Sequence, residues 1–252
     1  MAMQTWTQRL ANPTRFMALS ARLIPWLAGA ACVLIAVGLY MAFTTPPDYQ
    51  QGHTAKIMYV HVPAAWLSLF GYALVAASSF GLLVFRHPLA DVSAKAAALV
   101  GAVFTFLCLV TGSLWGKPMW GAFWDWDPRL TAMLVLFFLY LGLIALRSSI
   151  EDEALAANLT AILGLVGIVM LPIIRYSVYW NSIHQPPSVS RFGAPAIHAS
   201  LLWPLLVMAA GMGLLFAALH LKAMRNEILR RRVKALRLQR VQSAAGLAQA
   251  AE

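Results

Sequence analysis

Six stretches of this 252-residue sequence contain no Asp, Glu, Lys or Arg, and each is near or above the length that crosses a membrane as a helix. About 20 apolar residues are needed to cross roughly 30 Å of hydrocarbon. The stretches cover residues 23–43, 57–85, 96–115, 130–146, 154–174 and 199–221. The sequence lacks the alternating pattern of a membrane β-barrel, so helices must satisfy the backbone hydrogen bonds. We therefore predict an all-α, polytopic membrane protein with six transmembrane helices.

Basic residues are distributed unevenly around these stretches. A cytoplasmic N-terminus would place 14 of the 19 basic residues on the cytoplasmic side, and the other five are Lys56, Lys117, Arg129, Arg175 and Arg191. This distribution follows the positive-inside rule and predicts that both termini are cytoplasmic. The chain then divides into a leader (1–22), a membrane domain (23–221) and a basic tail (222–252). For the tail, contact with anionic membrane lipid is favoured over binding of nucleic acid.

The predicted outer loops (44–56, 116–129 and 175–198) are rich in aromatic residues and histidine. Four of the nine Trp residues fall within twelve positions: Trp115, Trp120, Trp124 and Trp126. Four of the six His residues also belong to the outer side: His53, His61, His184 and His198. A symmetric aromatic belt would populate both membrane interfaces, so enrichment on one side indicates a binding site.

This combination of residue types suits a flat aromatic ligand with a central metal. Neutral imidazoles are axial ligands for iron, and large apolar rings cover the faces of a porphyrin. Propionate groups could be met by basic side chains, for which Arg129, Lys117, Lys56 and Arg191 are candidates. Arg129 and Arg175 both lie at outer helix ends, where snorkelling is the common explanation, and propionate contact is less favoured for Arg175 than for Arg129. A zinc site is less favoured because no close spacing of ligands such as HExxH occurs.

The segment WGKPMWGAFWDWDPRLT at positions 115–131 resembles the tryptophan-rich WWD signature of heme-handling proteins. Six helices, this segment between the third and fourth, and outer histidines on either side resemble the heme exporter protein C family. The resemblance implies that His61 and His184 are the axial ligands of heme iron and that residues 115–127 contact heme. Phe123 departs from the family pattern, which often has Trp there, so the indole N–H is lost at this position.

The resemblance also implies a function. Heme b would bind at the periplasmic face of the bacterial inner membrane and pass to the heme chaperone CcmE. The ATP-binding-cassette subunits CcmA and CcmB and the small membrane protein CcmD would be partners. Because the sequence has no GxxxxGK[ST] motif, ATP hydrolysis would come from a partner, and we expect a subunit that is not itself an enzyme. The predicted heme-binding residues are His61, His184, Trp115, Trp120, Trp124, Trp126, Asp127 and Arg129.

Two further functions remain open as alternatives. A membrane-spanning heme permease would favour ionisable groups near the middle of the bilayer, and the apolar stretches are almost free of them. A cytochrome b-like oxidoreductase would need histidines at two depths within the helices, whereas the candidate ligands cluster on one face.

Local signals predict how some helices begin. Asp127 followed by Pro128 is typical of an N-cap and first helical residue. Ser149 with Asp152 predicts the start of the fifth helix. Apolar residues recur at helical spacing in the tail, which indicates an amphipathic continuation of the sixth helix.

Overall fold

The computed structural model describes residues 12–180 and 197–249. Its α-helices are α1 (Pro13–Thr44), α2 (Met58–Phe85), α3 (Pro88–Trp120), α4 (Pro128–Ser149), α5 (Glu153–Val166), α6 (Met170–Tyr176) and α7 (Ala199–Gln249). Short 3-10 segments lie at His53–Ile57, Gly167–Val169 and Ser177–Tyr179. In the described ranges, six segments are long and apolar enough to cross a membrane, with Glu153–Ser177 counted as one. The prediction of six helices long and apolar enough to span a membrane is confirmed.

Two helices extend well beyond the apolar stretches that predicted them. Asn12 caps α1 by accepting a hydrogen bond from the Thr14 amide at 2.9 Å, so the helix begins within the predicted leader. At the other terminus, α7 continues through the predicted tail because residues 222–245 contain no Pro or Gly to end it. The boundaries predicted at 22 and 221 therefore fall inside continuous helices.

The centre of the bundle is held by close approach of α2 to α3. A Cβ atom on Gly71 would lie 3.1 Å from the Cα of Gly101, and one on Gly101 would lie 2.5 Å from Cε1 of Tyr140, so a larger residue at either position would displace its neighbours. Tyr140 of α4 fills the adjoining space, and its hydroxyl donates a hydrogen bond to the Ser68 carbonyl at 2.8 Å. Small residues allow such contact between membrane helices, where apolar burial gives little driving force. These contacts fix α2, α3 and α4 relative to one another.

The fifth membrane crossing is made of several helical pieces. Gly167–Val169 forms a 3-10 turn between α5 and α6, and Pro172 follows within α6. Glycine lowers helix stability and proline removes a backbone donor, which together explain the interruption. Beyond it, α6 brings Ile174 and Arg175 against the cavity described below.

The bundle has two chemically distinct ends. The indole end comprises residues 44–61, 108–130 and 170–180, where the aromatic segment lies. The basic end comprises residues 86–95, 147–153 and 220–243, where Asp91 of α3 pairs with Arg147 of α4 at 2.8 Å. Helices α2, α3, α4 and the Glu153–Ser177 crossing each reach both ends.

Candidate heme site at the indole end

The aromatic segment is part helix and part loop. Helix α3 continues through Pro118 to Trp120, so the loop predicted at 116–129 is helical over its first five positions. Gly121 ends the helix with a positive φ of 81° and donates its N–H to the Lys117 carbonyl at 3.0 Å. This left-handed conformation favours glycine and satisfies a terminal carbonyl of α3. The connection to α4 is therefore only 121–127.

Gly116 determines where the Trp120 ring lies. A Cβ atom at position 116 would be 2.9 Å from the Cε3 atom of Trp120, so the indole packs against the helix one turn before it. Lys117 donates to the Gly121 carbonyl at 2.9 Å and lies 5.3 Å from the centroid of the Phe123 ring. The exposed fractions of Trp120, Phe123 and Trp126 are 38%, 57% and 75%. We call these three residues the aromatic rim.

Asp127 begins α4, as the sequence predicted. Its side chain accepts a hydrogen bond from the Leu130 amide at 2.7 Å, and the residue is buried. The preceding indoles of Trp124 and Trp126 meet edge to face, with centroids 5.8 Å apart. Trp124 is half-buried, and its Nε1 has no hydrogen-bond partner among the described residues. Asp127 therefore fixes the end of the connection that carries these two rings.

His61 is fixed against α3 through Nδ1. This nitrogen lies 3.1 Å from the Cys108 carbonyl oxygen and 3.1 Å from Oγ1 of Thr111. The Thr111 hydroxyl donates its own proton to the Leu107 carbonyl at 2.7 Å, so it acts as an acceptor toward His61. Two acceptors require that Nδ1 carry the proton. In the neutral ring, Nε2 then carries the lone pair that coordinates a metal.

Trp115 supports the same imidazole from the side. The two rings meet edge to face with centroids 5.6 Å apart, and the Trp115 Nε1 donates to Oε1 of Gln51 at 3.0 Å. Gly112 leaves room for His61, since a Cβ atom there would lie 3.0 Å from its Cε1. Sequence reasoning missed Gly112 and Gln51. Cys108, Gly112 and Trp115 lie four and three positions apart, which places them on one face of α3 and could have indicated a shared neighbour.

A cavity of about 110 Å³ lies beside His61. His61 and Trp66 of α2 line it together with Arg129 of α4 and Arg175 of α6, and apolar residues form most of the remaining wall. Both arginines thus come from helix ends and line one cavity. Arg129 was in the predicted site, and Arg175, for which propionate contact was less favoured, lines the same cavity.

The other predicted candidates are placed differently. His184 and Arg191 lie outside the described residues. Lys56 donates to the Phe43 carbonyl at 2.9 Å. His198 bonds through Nδ1 to Oγ of Ser200 at 2.8 Å at the start of α7. His53 is exposed in the 3-10 segment before α2.

The six helices long and apolar enough to cross a membrane indicate a polytopic membrane protein, and its candidate binding site joins one imidazole, two arginines and exposed indoles at one end of the bundle. The family model of heme exporter protein C, CcmC, matches residues 6–239. The chain belongs to the heme exporter protein C family, which handles heme in cytochrome c maturation. The family resemblance seen in the sequence is confirmed.

Individual relatives agree over most of their length. The chain is 59% identical to heme exporter protein C of Bradyrhizobium diazoefficiens, over 91% of this chain and 88% of that protein. Identity to the protein of the same name from Paracoccus denitrificans is 45%, over 90% of this chain and 95% of that protein. Identity to the Escherichia coli K12 protein is 47%, over 88% of this chain and 90% of that protein.

Proposed function

We propose that this chain binds heme b at the indole end and presents it to the heme chaperone CcmE. The observation that carries the proposal is the arrangement of His61, whose two Nδ1 contacts at 3.1 Å leave the lone pair on Nε2. A metal-binding histidine commonly donates its other ring N–H to a backbone carbonyl, which fixes the ring and raises its basicity. His184, outside the described residues, would supply the second axial imidazole.

The aromatic rim would hold the porphyrin. The cavity beside His61, at about 110 Å³, is too small to enclose a macrocycle. The ring would therefore lie against the exposed indoles, with Trp120 and Trp126 providing apolar surface. Trp115 and Trp124 are half-buried and would act chiefly by positioning His61 and the connection before α4. An exposed rim also leaves the bound heme accessible to a second protein.

Arg129 and Arg175 suit the two propionates of heme. They come from different helices and line one cavity next to His61. Guanidinium groups bind carboxylates through paired hydrogen bonds, and such bonds are stronger where water is excluded. The indole N–H of Trp124, buried without a partner in the described part of the chain, provides a further donor. Asp127 contributes by capping α4 and so fixing Arg129 two positions later.

Heme supplies the iron and its own redox chemistry, while this chain binds, orients and partly shields it. We propose no enzymatic step for the chain itself. The concentration of basic residues at the basic end supports a cytoplasmic location for both termini, which would place the indole end in the periplasm. CcmA, CcmB and CcmD would be partners, and ATP hydrolysis would come from a partner.

The first experiment is heme content. Wild type, His61→Ala and His184→Ala would be purified in detergent and compared by visible spectrum and pyridine hemochrome assay. His53→Ala is the matched control, because His53 is exposed and does not line the cavity. We expect low-spin heme in wild type and the control, and loss of most heme in the other two. Normal heme content and spectrum in His61→Ala would contradict the proposed ligand.

Delivery is tested separately. Heme-loaded protein would be mixed with purified heme-free CcmE, and heme would be quantified on each protein after separation. We expect transfer from wild type and slower or incomplete transfer from Trp126→Ala, since that ring is 75% exposed. Retention of all heme on the wild type would refute direct delivery while leaving heme binding intact.

A further inference from the structure

A second cavity, of about 190 Å³, lies near the basic end between α2, α3, α4 and α5. Its walls are mostly apolar, with Val75, Leu82, Ala98, Leu143 and Ala157 among them. Charged side chains contribute only where it meets the basic end, and these are Asp91, Lys95 and Arg147. The proposed heme site does not use this cavity.

A network of ion pairs borders the cavity. Asp91 accepts from Arg147 at 2.8 Å and also from Arg231 of α7. Glu227 accepts from Lys95 at 2.9 Å, and Arg230 and Arg231 bind it at 2.7 and 2.8 Å. Lys234 extends the network to Glu153 at 3.1 Å.

The network has more positive than negative charge. Five cations (Lys95, Arg147, Arg230, Arg231 and Lys234) contact three carboxylates (Asp91, Glu153 and Glu227), which leaves a formal surplus of two positive charges. This excess would attract an anionic group to the basic end.

Arg147 points to where that group would bind. Its side chain is only 6% exposed, and Nη2 is bound to Asp91. The other terminal nitrogen, Nη1, is buried and has no hydrogen-bond partner within residues 12–180 and 197–249. A buried donor on a charged group is costly when it has no acceptor. Since Arg147 lines the cavity, a ligand there could provide that acceptor.

We propose that this cavity binds an anionic phospholipid, with the phosphate accepting from Nη1 of Arg147 and an acyl chain along the apolar walls. The phosphate would sit near Lys95, and the hydroxyl groups of Ser148 and Thr160 also line the space. The apolar walls favour a lipid over free phosphate, because free phosphate has no acyl chain to bury against them. Binding of this phospholipid does not depend on heme binding.

Native mass spectrometry of the full-length protein in detergent tests the proposal. The protein would be incubated with phosphatidylglycerol, with phosphatidylcholine of the same acyl chains, or with phosphatidylglycerol plus millimolar inorganic phosphate. We expect phosphatidylglycerol to be retained about tenfold better than phosphatidylcholine, and inorganic phosphate not to displace it. Equal retention of both lipids, or displacement by phosphate, would overturn the assignment to an anionic lipid.

Two variants locate the binding. Arg147→Gln should lower phosphatidylglycerol retention about tenfold, whereas Arg230→Gln, in the same network but outside the cavity lining, should not. Because Arg147→Gln also weakens a buried pair, Ala157→Leu is the second variant: it fills the cavity without changing charge. Ala145→Leu, on the exposed surface of α4, is its control. Wild-type retention in Ala157→Leu would overturn the proposal even if Arg147→Gln failed to fold.

Discussion

At the basic end, charged side chains from four helices bind one another, whereas at the indole end the hydrogen bonds of His61 and Trp115 go to uncharged groups and several aromatic rings are exposed. Asp91 and Glu227 each contact more than one cation. His61, in contrast, is bound by a carbonyl and a hydroxyl of one neighbouring helix. The ion pairs of the basic end hold helices together, and the contrast supports our proposal that the indole end binds heme. Mutations should therefore separate stability from heme binding.

The largest expected effect on stability comes from Asp91→Ala. It leaves Arg147, whose side chain is 6% exposed, without its counter-charge. Loss of one partner of a buried pair lowers the free energy of unfolding by about 3–5 kcal/mol. Denaturant unfolding in detergent measures the change.

The control for Asp91→Ala is Glu151→Ala, an exposed carboxylate at the same end, which we expect to change stability by less than about 0.5 kcal/mol. The heme bound per folded molecule should match wild type in both variants. If Asp91→Ala instead removed heme without lowering stability, the division of roles between the two ends would be wrong.

Gly112→Ala should have a smaller effect than Asp91→Ala, and the effect should be on heme binding instead of on stability. Its Cβ would lie 3.0 Å from Cε1 of His61, so the imidazole must shift. Mutation of residues that orient a metal ligand typically lowers metal affinity by about 10- to 100-fold, and if His61 binds heme iron as proposed we expect the lower end of this range. Heme titration monitored by absorbance gives the affinity. Gly29→Ala is the matched control, because nothing lies within 4 Å of its Cβ position. Equal heme affinities for the two variants would contradict the packing argument.

Asp127→Ala should affect both properties modestly. Removing the cap at Leu130 lowers the free energy of unfolding by about 1 kcal/mol. Heme affinity should fall as well, because Arg129 and the Trp124–Trp126 pair are oriented from this point. Asp127→Ser keeps a capping oxygen and should restore most of both losses. If serine restored stability and not heme affinity, Asp127 would have a direct role in the site.

Features that depend on residues close together in the sequence were predicted correctly. Apolar length predicted the six crossings, and the Asp127-Pro128 pair predicted the start of α4. The apolar stretch predicted the end of α3 too early, because a helix can continue beyond its apolar residues until a residue such as Gly121 ends it. Asp152 caps α5 as predicted, whereas Ser149 bonds back to Ala145 within α4.

Contacts between residues of different helices could not be predicted from the sequence. His61 meets Cys108, 47 positions away, and Arg147 meets Asp91, 56 positions away. Such pairs depend on how α2, α3 and α4 pack, which is set by Gly71, Gly101 and Tyr140. The sequence motif does not distinguish its four Trp residues from one another. The packing does, because Trp115 contacts His61 while Trp126 is exposed.

The smallest effect should come from Trp115→Phe, which tests that distinction between indoles. Phenylalanine keeps a ring edge near His61 and loses the 3.0 Å hydrogen bond to Gln51. A hydrogen bond of this kind contributes about 0.5–1.5 kcal/mol, so heme affinity should fall by a few-fold. Gln51→Ala removes the same bond from the other side, and the double variant should lose less than the sum of the two single changes. Strict additivity would mean that Trp115 acts on heme through its surface alone, as we propose for Trp126, and the two indoles would then belong to one class.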